Sequence, residues 1–64
     1  MLRELKIAID KQQQVSIRTT DGRITVGLPK YSVDPGRVKI HTESEVTSIP
    51  LEDIHHVMRI INFP

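Results

Sequence analysis

Three histidines, His41, His55 and His56, make the strongest case for metal chemistry in this 64-residue chain, because imidazole is the commonest side-chain ligand for zinc-type ions. Their spacing argues against it. His55 and His56 are adjacent, so on a strand they point to opposite faces and cannot close on one ion, and His41 stands alone. The chain has no cysteine to complete a ligand set. Glu52 and Asp53 come nearest to an acid–base pair, but adjacent acids at the start of a short turn suit its exposed N–H groups. No nucleophile or oxyanion-binding pattern accompanies them. Gly22, Gly27 and Gly36 fall in separate stretches and form no phosphate-cradling loop. The expectation is a chain with no catalytic residues, no metal and no cofactor, and therefore not an enzyme.

Two sets of residues remain as contact candidates. Arg18, Arg23, Lys30, Tyr31, Arg37 and Lys39 gather around the strands. Alternation places Arg18 on the water side of its strand and Arg37 and Lys39 on the outer side of a second hairpin, with Lys30 and Tyr31 in the connecting segment. Such a set follows a phosphate backbone with one stacking aromatic, or meets a protein partner, or is simply a solvated face. The second set is the apolar C-terminal run of Val57, Met58, Ile60, Ile61 and Phe63, more than one small domain buries, which makes it a candidate contact between copies.

The elements that must position these residues begin with "VSIRTTDGRITVGL" at 15–28. Asp21-Gly22 between two β-rich runs signals a two-residue hairpin turn. That turn pairs Thr20 with Arg23, Thr19 with Ile24, Ile17 with Val26 and Val15 with Leu28, and puts these apolar residues on the core face. Ser16, Arg18, Thr20, Arg23, Thr25 and Gly27 would then face water. A second hairpin, residues 37–50, pairs His41 with Val46, Ile40 with Thr47 and Val38 with Ile49. Pro29 is expected to end the second strand or force an edge there. Residues 51–54 read as one helical turn and 55–61 as a closing strand. Residues 1–12 fit either a helix (Leu2, Leu5, Ala8, Ile9) or a strand (Leu5, Ile7, Ile9). Good helix formers and a linker without Gly, Pro or Asn favour the helix.

Length and composition limit the rest. A chain this short is a single domain that buries only about 60% of its unfolded surface, so help from a second copy is expected. Only Tyr31 and Phe63 are aromatic. Net charge is +1, but residues 1–39 carry eight cations against four acids, whereas 40–64 carry Arg59 against Glu43, Glu45, Glu52 and Asp53. The absence of cysteine, of a long apolar run and of an uninterrupted apolar N-terminus points to a cytoplasmic protein that does not enter membranes.

The order helix, strand, Asp-Gly turn, strand, variable segment, hairpin, single turn and last strand resembles the Sm-like or SH3-like small barrel. The residues that carry the likeness are "LRELKIAIDKQQQVSI" at 2–17, Asp21-Gly22, Gly27 and "IPLEDIHHV" at 49–57. The wording is most similar to the barrel portion of the YolD-like family, and more distantly to Hfq and the WYL domain. The basic pair that Hfq uses on uridine-rich RNA has no counterpart, because the matching stretch here is the acidic "IPLEDI". The resemblance implies a regulatory or adaptor module of bacterial or phage type. The resulting expectation is a mainly β, five-stranded small barrel with an N-terminal helix and one helical turn before the last strand. It acts as a non-catalytic binding module through protein contacts, self-association included; the alternative is a small RNA- or single-stranded-DNA-binding regulator using the basic face.

Overall fold

The structure, a computed structural model, describes residues 2–61. It is mainly β: a helix α1 (Arg3–Lys11) precedes strands β1 (Val15–Thr19), β2 (Ile24–Tyr31), β3 (Arg37–His41), β4 (Val46–Pro50) and β5 (Ile54–Arg59), with one 3-10 turn at Leu51–Asp53 before β5. All pairings are antiparallel, and the strands lie in the order β4-β3-β2-β1-β5.

The helical reading of the N-terminus wins because Leu5 and Ala8, one turn apart, are fully buried against the sheet, with Ile9 beside them. The helix stops without glycine. Gln12 takes a left-handed conformation (φ 56°), its N–H bonding to the Ile9 carbonyl and the Gln13 N–H to that of Ala8, which together make a Schellman cap. Side chains tie the helix to the edge strand β5 and the central strand β2: Arg59 of β5 donates to Glu4 at 2.7 Å and to Gln13, just past the helix, at 3.2 Å, and the Tyr31 hydroxyl of β2 donates to Asp10 at 3.4 Å.

The first hairpin corrects the expected register. The observed partners are Val15–Gly27, Ser16–Val26, Ile17–Thr25 and Arg18–Ile24, one residue away from the pairing that a two-residue turn would give. The Gly22 N–H bonds back to the Thr19 carbonyl, the Thr19 N–H bonds to the Arg23 carbonyl, and Gly22 alone carries positive φ (86°). The loop is therefore three residues, Thr20 to Gly22, a turn followed by a left-handed glycine. Asp21 stabilises it by accepting from the Thr19 hydroxyl and from the Arg23 N–H. One residue of slip exchanges the faces of β2. Thr25, Gly27 and Pro29 turn inward, and Ile24, Val26 and Leu28 turn outward.

The second hairpin has the expected register: Val38–Ile49, Ile40–Thr47 and His41–Val46. Val38, Ile40 and Ile49 join Leu5, Ala8, Val15 and Ile17 in the core, with Leu51, Ile54 and Val57 packed around it. Pro29 does not end β2, which runs on to Tyr31. The antiparallel alternation starts from the bond between the Thr42 N–H and the Glu45 carbonyl, and it directs the bonds of Ile40 toward Thr47. Pro29, opposite Ile40, therefore directs its nitrogen away from β3, to the side where β1 has already ended, and no ladder donor is lost.

A closed barrel was the expectation, and the sheet is instead open. Closure would need bonds between β4 and β5, yet β5 pairs only with β1, at the far side of the sheet from β4. Three residues of 3-10 turn bridge those two edges, spanning roughly 6 Å. The sheet must therefore curl until its edges approach at that end, without joining. The last strand also starts earlier and stops sooner than residues 55–61.

Candidate functional site

Cross-strand partners share a face of the sheet, so the register maps what each side presents. The inner face holds the core and meets α1. Arg59 and Tyr31 belong to it by alternation, which is why both reach the helix. On the outer face, β2, β1 and β5 contribute successive rows of Ile24, Arg18 and His56, then Val26, Ser16 and Met58. Farther along β2, Leu28 neighbours His41 and Val46, and Lys30 neighbours Lys39 and Ser48.

This arrangement divides the basic candidates. Lys30 and Lys39 are direct cross-strand partners, and Arg37 follows on the same face, its guanidinium donating to the Ser48 hydroxyl at 2.7 Å and to the Ser48 carbonyl at 3.2 Å. Arg18 lies on the outer face too, but at the opposite end of the β2 ladder. Arg23 sits at the hairpin loop, where its backbone holds Asp21. Tyr31 is on the inner side, one position on from Lys30, and its hydroxyl is engaged with Asp10; it does not join the lysines as a stacking ring. Burial, followed by the nearby Asp10 carboxylate, pushes the Tyr31 phenol above its ordinary value.

The apolar C-terminal run is likewise split. Val57 packs against the core and is half-buried, whereas Met58 and Ile61 are 56% and 49% exposed. Ile60 is half-buried, its N–H bonded to the Gln14 carbonyl, and Phe63 lies outside the described residues. The histidines stay apart from one another's chemistry. His41 is exposed at the end of β3, and His55 is the extra residue of a bulge in β5, since Arg18 pairs with His56 and Thr19 with Ile54. Among the described residues no group of three His, Cys, Asp or Glu is placed to hold a metal ion. Glu52 and Asp53 are exposed in the 3-10 turn, where the Asp53 carbonyl accepts the Thr20 N–H.

What sequence reasoning missed is the outward row of β2. Ile24 and Val26 are 63% and 47% exposed and form an apolar strip along β2 on the outside of the sheet, with Met58 on the same face of β5, across Ser16. No local signal reports it, because the reason is tertiary and lies at Gly27. A Cβ there would come within 2.5 Å of the His41 carbonyl oxygen, so position 27 is where two strands crowd together and cannot be a water-facing position.

Compared with protein-family models, curated protein sequences and solved structures, the chain matches none. No helix among the described residues is long and apolar enough to cross a membrane.

Proposed function

We propose that this chain is a non-catalytic binding or adaptor module that acts through protein–protein contacts, beginning with a second copy of itself. The carrying observation is the pair of unpaired sheet edges, β4 and β5, of five and six residues. Alternation leaves the N–H groups of Val46 and Ser48 on one edge, and of Val57 and Arg59 on the other, without a strand partner among the described residues. Exposed edges of this kind recruit another strand by main-chain bonding alone. The leading helix, the strand order and the single turn before β5 support a kinship with Sm-like and SH3-like small barrels of bacterial or phage regulators, YolD-like proteins among them, and a cytoplasmic setting suits such a role. Sedimentation equilibrium tests the reading. The wild type assembles at micromolar concentration, and Val46→Pro, which removes one outward donor, shifts it toward monomer. A wild-type monomer unchanged up to millimolar protein refutes self-association.

A second reading, an RNA- or single-stranded-DNA-binding regulator, is favoured by one observation: Lys30 faces Lys39 directly, an unfavourable like-charge pair unless an anion bridges it. Binding of oligo-dT or oligo-U that weakens steeply with salt and disappears in Arg18→Glu/Lys39→Glu would support it.

A further inference from the structure

The outer face of the sheet pairs two properties seldom exposed together. Its aliphatic strip, Ile24 and Val26 of β2 with Leu28 half-buried beyond them, lies open, and Met58 lies open on β5 across Ser16. Its charges have one sign. Arg18, Lys30, Lys39 and Arg37 stand on this face, and no outward strand position, from His56 on β5 to Ser48 on β4, is an aspartate or glutamate. The acids lie elsewhere: on the helix (Glu4, Asp10), in loops and hairpin tips (Asp21, Asp34, Glu43, Glu45) and in the 3-10 turn (Glu52, Asp53). The single ion pair among the described residues, Arg59 with Glu4, is on the inner side, so the outer cations pair with no carboxylate of those residues.

We infer that this face docks an acidic, aliphatic-rich segment of a partner protein, its carboxylates meeting Arg18 and the Lys30–Lys39 pair while its apolar side chains cover Ile24, Val26 and Met58. The inference rests on the protein-contact reading above and names the partner's chemistry. Charge complementarity demands an anionic occupant. The aliphatic strip selects among anionic occupants. A nucleic acid would use the cations but would need aromatic platforms for its bases, and among the described residues the face presents no Phe, Tyr or Trp, Tyr31 being turned to the helix. A segment bearing both carboxylates and aliphatics uses every feature of the surface. The face adjoins the β5 edge through Met58, so a docked segment and an added strand can be continuous.

The test is selection from a random 16-residue peptide display library against the immobilised full chain. Selected peptides are expected to combine Asp or Glu with Leu, Ile or Val. Arg18→Glu/Lys39→Glu and, separately, Val26→Glu are expected to weaken them at least tenfold. All three positions are exposed or half-buried, and each variant's melting curve establishes that it is folded. Amide shifts in wild type should cluster on Ile24, Val26 and Met58. Peptides without acids, binding untouched by both variants, no enrichment at all, or displacement of the peptides by oligo-dT or phosphatidylglycerol vesicles would each overturn the inference. Sedimentation of the same samples separates the two readings. An oligomer that enriches no peptide sinks this inference alone, and a monomer that enriches acidic peptides sinks only self-association.

Discussion

Replacing Gly27 by alanine should be the most damaging single-methyl change in the chain. The added Cβ would lie 2.5 Å from the His41 carbonyl oxygen and 2.8 Å from Ile40 Cγ2. A side chain can rotate away; a carbonyl held in a ladder cannot. Relief requires β2 and β3 to separate where Leu28 pairs with His41, at the point where β2 passes from one neighbour to the other. Overpacking of this kind costs about 1–3 kcal/mol or somewhat more, and the stiffer unfolded chain of the alanine variant worsens nothing, since it returns only about 0.4–1 kcal/mol to stability. The net loss is about 0.5–2.5 kcal/mol, from a total that for a chain this size is roughly 3–10 kcal/mol. The melting temperature should fall by roughly 2–20 °C. Two controls calibrate the result. Gly36→Ala, whose Cβ would meet nothing closer than 3.4 Å and whose φ is not positive, should be near neutral; Gly22→Ala has open space but φ 86°, and should fall between. Thermal and urea denaturation of the three variants decide the matter. A Gly27→Ala melting temperature within about 2 °C of wild type, or Gly36→Ala as the worst of the three, would refute the close crossing of β2 and β3.

The register itself is tested by Ile17→Ala against Ile24→Ala: the first empties a fully buried site and should cost about 2–5 kcal/mol, the second trims a 63% exposed side chain and should cost under about 0.5 kcal/mol, with reversed order in urea melts meaning reversed faces. Gln12→Gly relieves a left-handed residue at the helix cap and should stabilise by about 0.5–1 kcal/mol after glycine's own entropy is counted, whereas Gln12→Val should destabilise. The Thr19 hydroxyl first, then the Arg23 N–H and the Arg23 charge, hold the Asp21 carboxyl below its ordinary value of 3.8. A depressed carboxyl contributes stability that is full above its unfolded value and lost as pH falls through the folded one. The melting temperature of wild type should therefore drop more steeply below about pH 4 than that of Asp21→Asn, and equal slopes would remove Asp21 from the loop's account.

The second hairpin was readable because one signal was enough. A two-residue tip at Glu43-Ser44 is consistent with only one burial pattern for Val38, Ile40 and Ile49, and the pairing follows. The first hairpin was not, although its Asp-Gly signal is stronger, because that dipeptide serves both a two-residue loop and the last two positions of a three-residue one. What separates them is tertiary: a residue at position 27 with a side chain would strike β3, and nothing local to 15–28 reports where β3 runs. Alternation then misled in a consistent way. Ile24, Val26 and Leu28 look like a core stripe by the same rule that makes Val15 and Ile17 one. The sheet opens for a related reason, since hydrophobic spacing identifies five strands but cannot state that the fifth will join β1 and leave β4 bare.

The candidate site inherits both outcomes. Arg18, Arg37 and Lys39 were placed on the outer face by alternation that survives a slip, because their own strand neighbours Ile17, Val38 and Ile40 are buried, whereas Lys30, expected in the connecting segment, joins them because β2 runs on to Tyr31. Their company was not legible, since it depends on how strands pair. With the expected register, Arg18 would have been surrounded by Thr25 and Gly27, a polar surface that asks for no particular partner. The three-residue loop instead sets it beside Ile24, with Val26 one row on and His56 of β5 on its other side, at the cost of leaving Ile24 and Val26 in water. In a chain of 64 residues, outward placement of these two forgoes core burial of about 1.5–3 kcal/mol each, which is a large share of what so small a domain can hold. Gly27 enforces the outward turn of Ile24 and Val26 sterically, and the glycine that lets β2 lie close to β3 therefore also determines which β2 side chains the outer face presents.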